Sequence, residues 1–444
     1  MSLSESESDY ATTAIPLAER KSAFTMGLLW ITMVTSFPTV MFGVEWYKKG
    51  LTLTQVASLT GLSCMLLMLY SIPSTQLGAR SGLSYTALSR CIFGRFGSRL
   101  ITCNLIWLFV GCYGLIALYL AESLNALFHW QIALPLLSAI VAMLMSVNNF
   151  FAFTGVANFA RYVAAPALIG WVGYTFCKAA AVCPPTVWQQ PETMPFAVAL
   201  TSVSTLVIGF AVWGNESDYW RHSKPGLANS ALPLMFALAI GQMIFPLAGW
   251  MVAKNTGITE YGAATAFIND YSFAGMPLVA ALVLSASYFA CNDSNLFGAV
   301  QACENLKPMT HRRWAFIVAL VSALCAAVLS TKGLSKSMEL FTSLNPIVLP
   351  TPTVIMLCEW FLRARVFKAA PISELKVLPY DQLPFICGAA FVALLAGTAV
   401  GLLTSGLLPG LSWCLFGVSS IQAWLTAAVV YIPLRLIEHR RLGV

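Results

Sequence analysis

Read for hydrophobicity alone, the chain alternates apolar runs of about 20 residues with short polar stretches, and about 20 helical residues are what a ~30 Å hydrocarbon core requires. The runs lie near 23–43, 53–72, 100–124, 132–151, 163–182, 196–214, 232–252, 276–300, 314–330, 338–362, 383–403 and 411–431. Inside lipid a spanning segment must satisfy its own backbone polar groups, so each run is read as a helix. The fold class that follows is an all-α polytopic membrane protein of about twelve spans. Its domains are a tail over 1–22, one transmembrane domain over 23–431 and a tail over 432–444. No cleaved signal peptide is expected, because the first segment, with its acidic SESESD stretch, is polar and leads to no small-residue cleavage site.

Composition sharpens this reading. Of 444 residues, 58% are hydrophobic and 10% charged, against about 25% charged in a soluble domain. With both termini placed in the cytoplasm, nineteen of the 25 Lys and Arg residues fall in inner segments, as the positive-inside rule requires. The net charge of +7 is therefore topological, and no clustered basic face invites nucleic acid. The expected surroundings are the bilayer of a bacterial inner membrane and a small-molecule substrate, with the chain working as a monomer.

No cofactor chemistry emerges. His129, His222, His311 and His439 are dispersed, without triad or metal spacing, which argues against an enzyme. Most of the 12 cysteines sit in apolar runs as small hydrophobes. Cys177 and Cys183, near a predicted outer helix end, are the pair placed where a disulfide could form.

Two runs are interrupted near mid-membrane. Ser36-Phe37-Pro38 breaks the first, and Gly209, Gly214 and Asn215-Glu216 break the sixth. Interruptions at corresponding places in two halves mark substrate and ion sites in inverted-repeat transporters, because unwound backbone offers free N–H and C=O groups. Spans one and six are five apart, which fits a five-plus-five repeat, about 23–182 and 196–362, followed by two extra helices over 383–431. Kinks packed against neighbours would leave the same trace.

In the eighth run Asn292-Asp293-Ser294-Asn295 falls at mid-membrane depth, where polar groups face a cavity or each other. Ser287, Cys291, Ser294 and Asn295 share one helical stripe. An amide supplies both donors and an acceptor, which suits the edge of a nucleobase; interhelical bonding is the alternative use. A flat heterocycle also needs rings to stack on; Phe37, Trp107, Phe109, Tyr113, Phe210, Trp213 and Phe289 are the candidates.

Four segments carry a resemblance. Gly78-Ala79-Arg80-Ser81-Gly82-Leu83-Ser84 with Arg90, Phe93, Gly94 and Gly97, then Ser217-Asp218-Tyr219-Trp220-Arg221, Asn292-Asp293 with Asn295-Leu296-Phe297, and Leu349-Pro350 to Glu359-Trp360 together resemble the nucleobase:cation symporter-1 family. The resemblance implies a LeuT-like five-plus-five fold, alternating access and uptake of a base or hydantoin-like ring coupled to H+ or Na+. It implies Asn292 as the substrate amide, Phe37 beside the unwound first helix and Phe210, or equally Gly209, near the stacking position of the sixth. Ser36, Tyr113, Trp213 and Asn295 complete the expected substrate set.

Departures from the family pattern bear on the substrate and the ion. Where a Trp and a Gln stand in the third helix of the family's cytosine permeases, this chain has Cys112 and Phe109, leaving Tyr113 or Trp107 to stack. Where sodium-dependent members place two Thr hydroxyls, it has Ala290 and Cys291, and neither supplies the hard oxygen sodium prefers. The remaining ion-coupling set is Met33, Ser36, Ser287 and Cys291. Proton coupling through Asp293 is the expectation, since a carboxyl withdrawn from water can load and unload a proton. Asp218 and Arg221, three apart beyond the sixth span, are expected to form an inner ion pair that gates access.

Overall fold

The computed structural model describes residues 13–369, 374–411, 414 and 417–442. The SESESD stretch, part of the loop between spans ten and eleven, and most of the predicted start of span twelve lie outside these residues. Among the described residues there is no β-strand, only an isolated parallel bridge between Lys21 and Ser223.

Each of the twelve predicted runs overlaps helix, the eleventh from Gly388 and the twelfth from Ser419 onward. By length and composition, eight helical segments are long and apolar enough to cross a membrane, or ten if each sharply bent pair is one span. One of the eight, Leu134–Val182, has 49 residues, about 70 Å of helix at 1.5 Å per residue and so twice the length a single crossing needs. Its helical run is interrupted at Ala152, whose φ is 50°, and its length leaves room for the fourth and fifth spans. With the shorter apolar helix Gly388–Thr404, the set is consistent with twelve.

The boundaries differ where loops were expected. The third-span helix begins at Tyr85 and runs to Phe128, kinked at Gly94 (φ 73°), so much of the predicted inner loop is helical. Ser84 caps its start by accepting from the Ala87 N–H, a use of serine that hydropathy does not register. A helix over Tyr261–Phe273 precedes the eighth span, Pro277–Leu306, at a bend of 112°. The last helix, Ser419–Leu442, continues well past the predicted end of span twelve. All twelve cysteines are free, Cys177 and Cys183 included.

Packing follows a rule of five. The first span packs on the seventh and the sixth on the second, the first on the fifth and the sixth on the tenth, and the fifth on the seventh and the tenth on the second. The third and eighth spans pack on each other, as do the fourth and ninth. Shifting every member by five returns the same set of pairs. Glycines permit the closest approaches: a Cβ on Gly43 would strike the Pro246 carbonyl of span seven, and one on Gly209 the Thr342 backbone of span ten.

Both predicted interruptions are present. The first span ends at Met33 and resumes at Phe37, bent by 51°, with Pro38 in the first turn of the new helix, where its missing N–H is harmless. The freed Val34 carbonyl accepts from Gln242 Nε2 of span seven at 2.6 Å. The sixth helix ends at Ala211 and resumes at Glu216, Val212 being extended and Gly214 left-handed at φ 74°.

Candidate substrate site

A cavity lies between the first, third, sixth, eighth and tenth spans, its empty space of about 490 Å³ including the open mouth. Its aromatic walls are Phe109, Phe210, Trp213 and Phe341, and its polar side chains are Asn295, Thr342 and Asn345. Trp213 meets Phe109 edge-on, ring centroids 5.5 Å apart. Among the described lining residues none is charged. A neutral, flat solute is what such walls accommodate, since rings stack on its faces and the amides read its edge.

The unwound part of the sixth span is held by its neighbours. Asn345 Nδ2 donates to the Gly209 carbonyl at 3.1 Å and the Val212 carbonyl at 2.8 Å, and the Thr353 hydroxyl donates to the Gly214 carbonyl. Glu216, fully buried, accepts the Trp213 and Gly214 N–H groups on Oε1, each at 3.2 Å. Its Oε2 accepts the Tyr70 hydroxyl at 2.9 Å and the Ser74 hydroxyl at 2.7 Å. The break is thus a fixed feature: its freed N–H groups are satisfied by Glu216 of the same span, which span two holds, and its carbonyls by span ten, as buried backbone requires.

The structure brings Met33, Phe210, Trp213, Cys291 and Asn295 to the cavity and sets the other expected substrate residues elsewhere. Asn292 is completely buried among protein groups: its Nδ2 donates to the Tyr113 carbonyl at 3.0 Å and lies 3.5 Å from Met145 Sδ, and its Oδ1 accepts from Asn295 Nδ2 at 3.1 Å. It therefore orients Asn295 and is absent from the cavity wall. Tyr113 is equally enclosed, its hydroxyl donating to the Ala142 carbonyl at 2.6 Å. Phe37 packs on Tyr261 and Trp171, centroids 5.4 and 5.9 Å away. Ser36 is buried at the first break, away from the cavity lining. Trp107 is 45% exposed on the outer surface of the bundle, which is where a ring faces lipid.

Asn345, Thr342, Met338 and Phe341, all on the tenth span, were not expected at the site. The signal was available: Asn345 stands before Pro346 in the middle of an apolar run, the same polar-at-depth pattern as residues 292–295.

At the crossing of the first and eighth spans, the Cys291 thiol donates to the Met33 carbonyl at 3.8 Å, and the buried Ser36 and Ser287 hydroxyls meet no hydrogen-bond partner within normal geometry. Asp293 points away from this crossing toward the end of span four. Asn148 Nδ2 donates to its Oδ2 at 2.8 Å and Asn149 Nδ2 to its Oδ1 at 3.2 Å. No cation among the described residues pairs with it. Asp218 and Arg221 are both buried, at 1% and 3% exposure, and Arg221 acts electrostatically on the Asp218 carboxylate, although no salt bridge within hydrogen-bonding reach joins the two. Asp218 instead accepts the Tyr85 N–H at 2.7 Å and Asn215 Nδ2 at 2.8 Å. The reason is local: the third-span helix starts directly over the carboxylate, and its free N–H groups attract an anion.

The family of permeases for cytosine/purines, uracil, thiamine and allantoin matches residues 15–419. The cytosine permease of Escherichia coli (strain K12) is 23% identical over 337 residues, which cover 72% of this chain and 74% of that permease. Mhp1, a nucleobase-cation-symport-1 family transporter solved closed with bromovinylhydantoin bound, superposes with a TM-score of 0.73 at 19% identity, covering 97% of this chain and 96% of its own. A Na+-coupled sialic acid symporter in a substrate-bound outward-open state gives 0.60 at 12% identity over 96% and 92%. At such identities the two structural likenesses speak for the fold.

Proposed function

The chain belongs to the family of permeases for cytosine/purines, uracil, thiamine and allantoin and is a multi-pass membrane transporter, not an enzyme; from that premise we propose that it is a symporter importing a nucleobase or related small heterocycle across a bacterial cytoplasmic membrane. The observation that carries this reading is the uncharged cavity between the two broken spans, walled by aromatic rings and edged by the amides of Asn295 and Asn345. An amino acid, the main competing solute for this fold, carries two charges that these walls leave unanswered. A hydroxymethylpyrimidine-like vitamin precursor stays within the same chemistry and is the second reading.

The architecture is a five-plus-five repeat, 23–182 and 196–362, with both termini cytoplasmic and the remaining helices appended. The exchange of packing partners under a shift of five supports it. Alternating access then consists of rocking one set of spans against the other around a fixed site.

Proton coupling is favoured over sodium coupling. A sodium ion at the crossing of spans one and eight would need several hard oxygens, and there the Cys291 thiol occupies the Met33 carbonyl while Ala290 offers none. Asp293, held by two amides and no cation, is the acid assigned to carry the proton. The test is a thermal-shift screen of the purified protein against cytosine, uracil, purines, hydantoins, hydroxymethylpyrimidine and amino acids. Stabilisation by a heterocycle and by no amino acid is expected, and the reverse pattern overturns the reading.

A further inference from the structure

We propose that Asn345 on the tenth span is a specificity-determining residue, selecting substrates that present a free N–H on the edge facing it; the proposal rests on the permease reading above. Asn345 lines the cavity, is 9% exposed and has one side-chain atom, Oδ1, buried without a hydrogen-bond partner. Both N–H bonds of its amide are already committed, to the Gly209 and Val212 carbonyls of the unwound sixth span. That commitment fixes the polarity of the group. A flipped amide would set Oδ1 against two carbonyl oxygens, so the atom left for the cavity is an acceptor and stays one.

Across the cavity Asn295 is oriented in the same sense. Its Nδ2 donates to Asn292, whose own Nδ2 is held by the Tyr113 carbonyl, and among the described residues no donor reaches its Oδ1. The indole Nε1 of Trp213, also a lining residue, is buried without an acceptor. The unpaired inventory is therefore two acceptors of fixed polarity and one donor. A ring with N–H groups flanking a carbonyl complements it; a ring alkylated on the nitrogen facing Asn345 leaves a buried acceptor unmade, which costs about tenfold or more in affinity.

The test uses purified full-length protein and binding titrations of uracil and hydantoin, each with its singly N-methylated derivatives. In the wild type one N-methylation per ring is expected to weaken binding by about tenfold or more. Asn345→Leu, alike in branching but without the acceptor, also loses the two bonds that brace the sixth span, so all ligands are expected to weaken, the parent rings about tenfold more than that methyl derivative, and the discrimination ratio falls to about one. Asn345→Ser, which keeps an acceptor oxygen, should retain part of the ratio. A ratio unchanged in Asn345→Leu overturns the proposal, because a residue that only braced the sixth span would weaken all ligands together. If that variant does not fold, the wild-type series decides: no loss above about threefold for any single methylation also overturns it. Should neither ring bind the wild type while cytosine or a purine does, this inference alone falls; should only an amino acid bind, the permease reading falls, and this inference with it.

Discussion

Glu216 offers the sharpest stability prediction, because its four partners are of two kinds. The Trp213 and Gly214 N–H groups can only donate, whereas the Tyr70 and Ser74 hydroxyls can donate or accept. In Glu216→Gln the amide oxygen can keep the two N–H groups while the new NH2 donates to the hydroxyls, which reverse their roles. In Glu216→Ala the two N–H groups are stranded in a fully buried place. At about 1–3 kcal/mol for each stranded donor, the loss is about 2–6 kcal/mol. The hydroxyls add little to it, since Tyr70 already lies 3.5 Å from the Gly214 carbonyl and can shift to it. Size-exclusion profiles of detergent-solubilised protein after heating steps would measure the difference. Glu216→Gln should melt close to the wild type and Glu216→Ala lower by several degrees. Equal losses in both variants would refute the reasoning, because they would mean that the negative charge, and not the capping of the broken helix, is what the fold uses.

Three further outcomes follow from particular contacts. Gly209→Ala places a methyl group against the Thr342 backbone, so spans six and ten are pushed apart at the cavity; a cost of about 1–3 kcal/mol and a loss of ligand binding in a still-folded protein are expected, and unchanged titrations would count against the site. Asp218→Asn should be tolerated within about 1 kcal/mol, because Asn215 Oδ1 is unpartnered and its amide can turn to accept the new NH2, whereas Asp218→Ala strands the Tyr85 N–H at about 1–3 kcal/mol; melting curves of the pair check this. His222, stacked flat on Phe153 at 3.8 Å, is held well below its ordinary pKa by burial and then by Arg221, Lys21 and Arg20. The unfolded chain binds that proton first, so stability is present above pH ~6.5 and declines as pH falls below it; His222→Phe should flatten the decline seen in melting temperature between neutral and acid buffer.

The fold was legible because hydropathy is periodic with the bilayer: every apolar run became helix, and the two interruptions at Pro38 and Gly214 appeared where chain chemistry had placed them. Helices in the loops were not legible, since a polar segment such as 85–99 gives no length signal and its Ser84 cap is read only once the start is known. The site was half legible. Phe210, Trp213 and Asn295 stand at the cavity, but Asn292 does not, because a mid-membrane amide satisfies its bonds with whichever partner the packing supplies, here the Tyr113 carbonyl of span three. Asn345 went unread for the opposite reason: a single Asn beside a proline looked like part of a kink, and only its two carbonyl partners reveal that its oxygen is left for the cavity. Asp218 and Arg221 lie near enough to interact electrostatically, but spacing says nothing of the Tyr85 helix N-terminus that takes the carboxylate's hydrogen bond.

The central claim, that a ring-shaped neutral solute crosses through the cavity between the broken spans, is tested most directly by uptake of radiolabelled cytosine, uracil and hydantoin into proteoliposomes under imposed proton or sodium gradients. Accumulation of at least one ring, driven by an inward proton gradient, collapsed by a protonophore and indifferent to sodium, is the predicted result. Failure of every ring under both gradients, with a zwitterionic amino acid accumulating in the same vesicles, would contradict it.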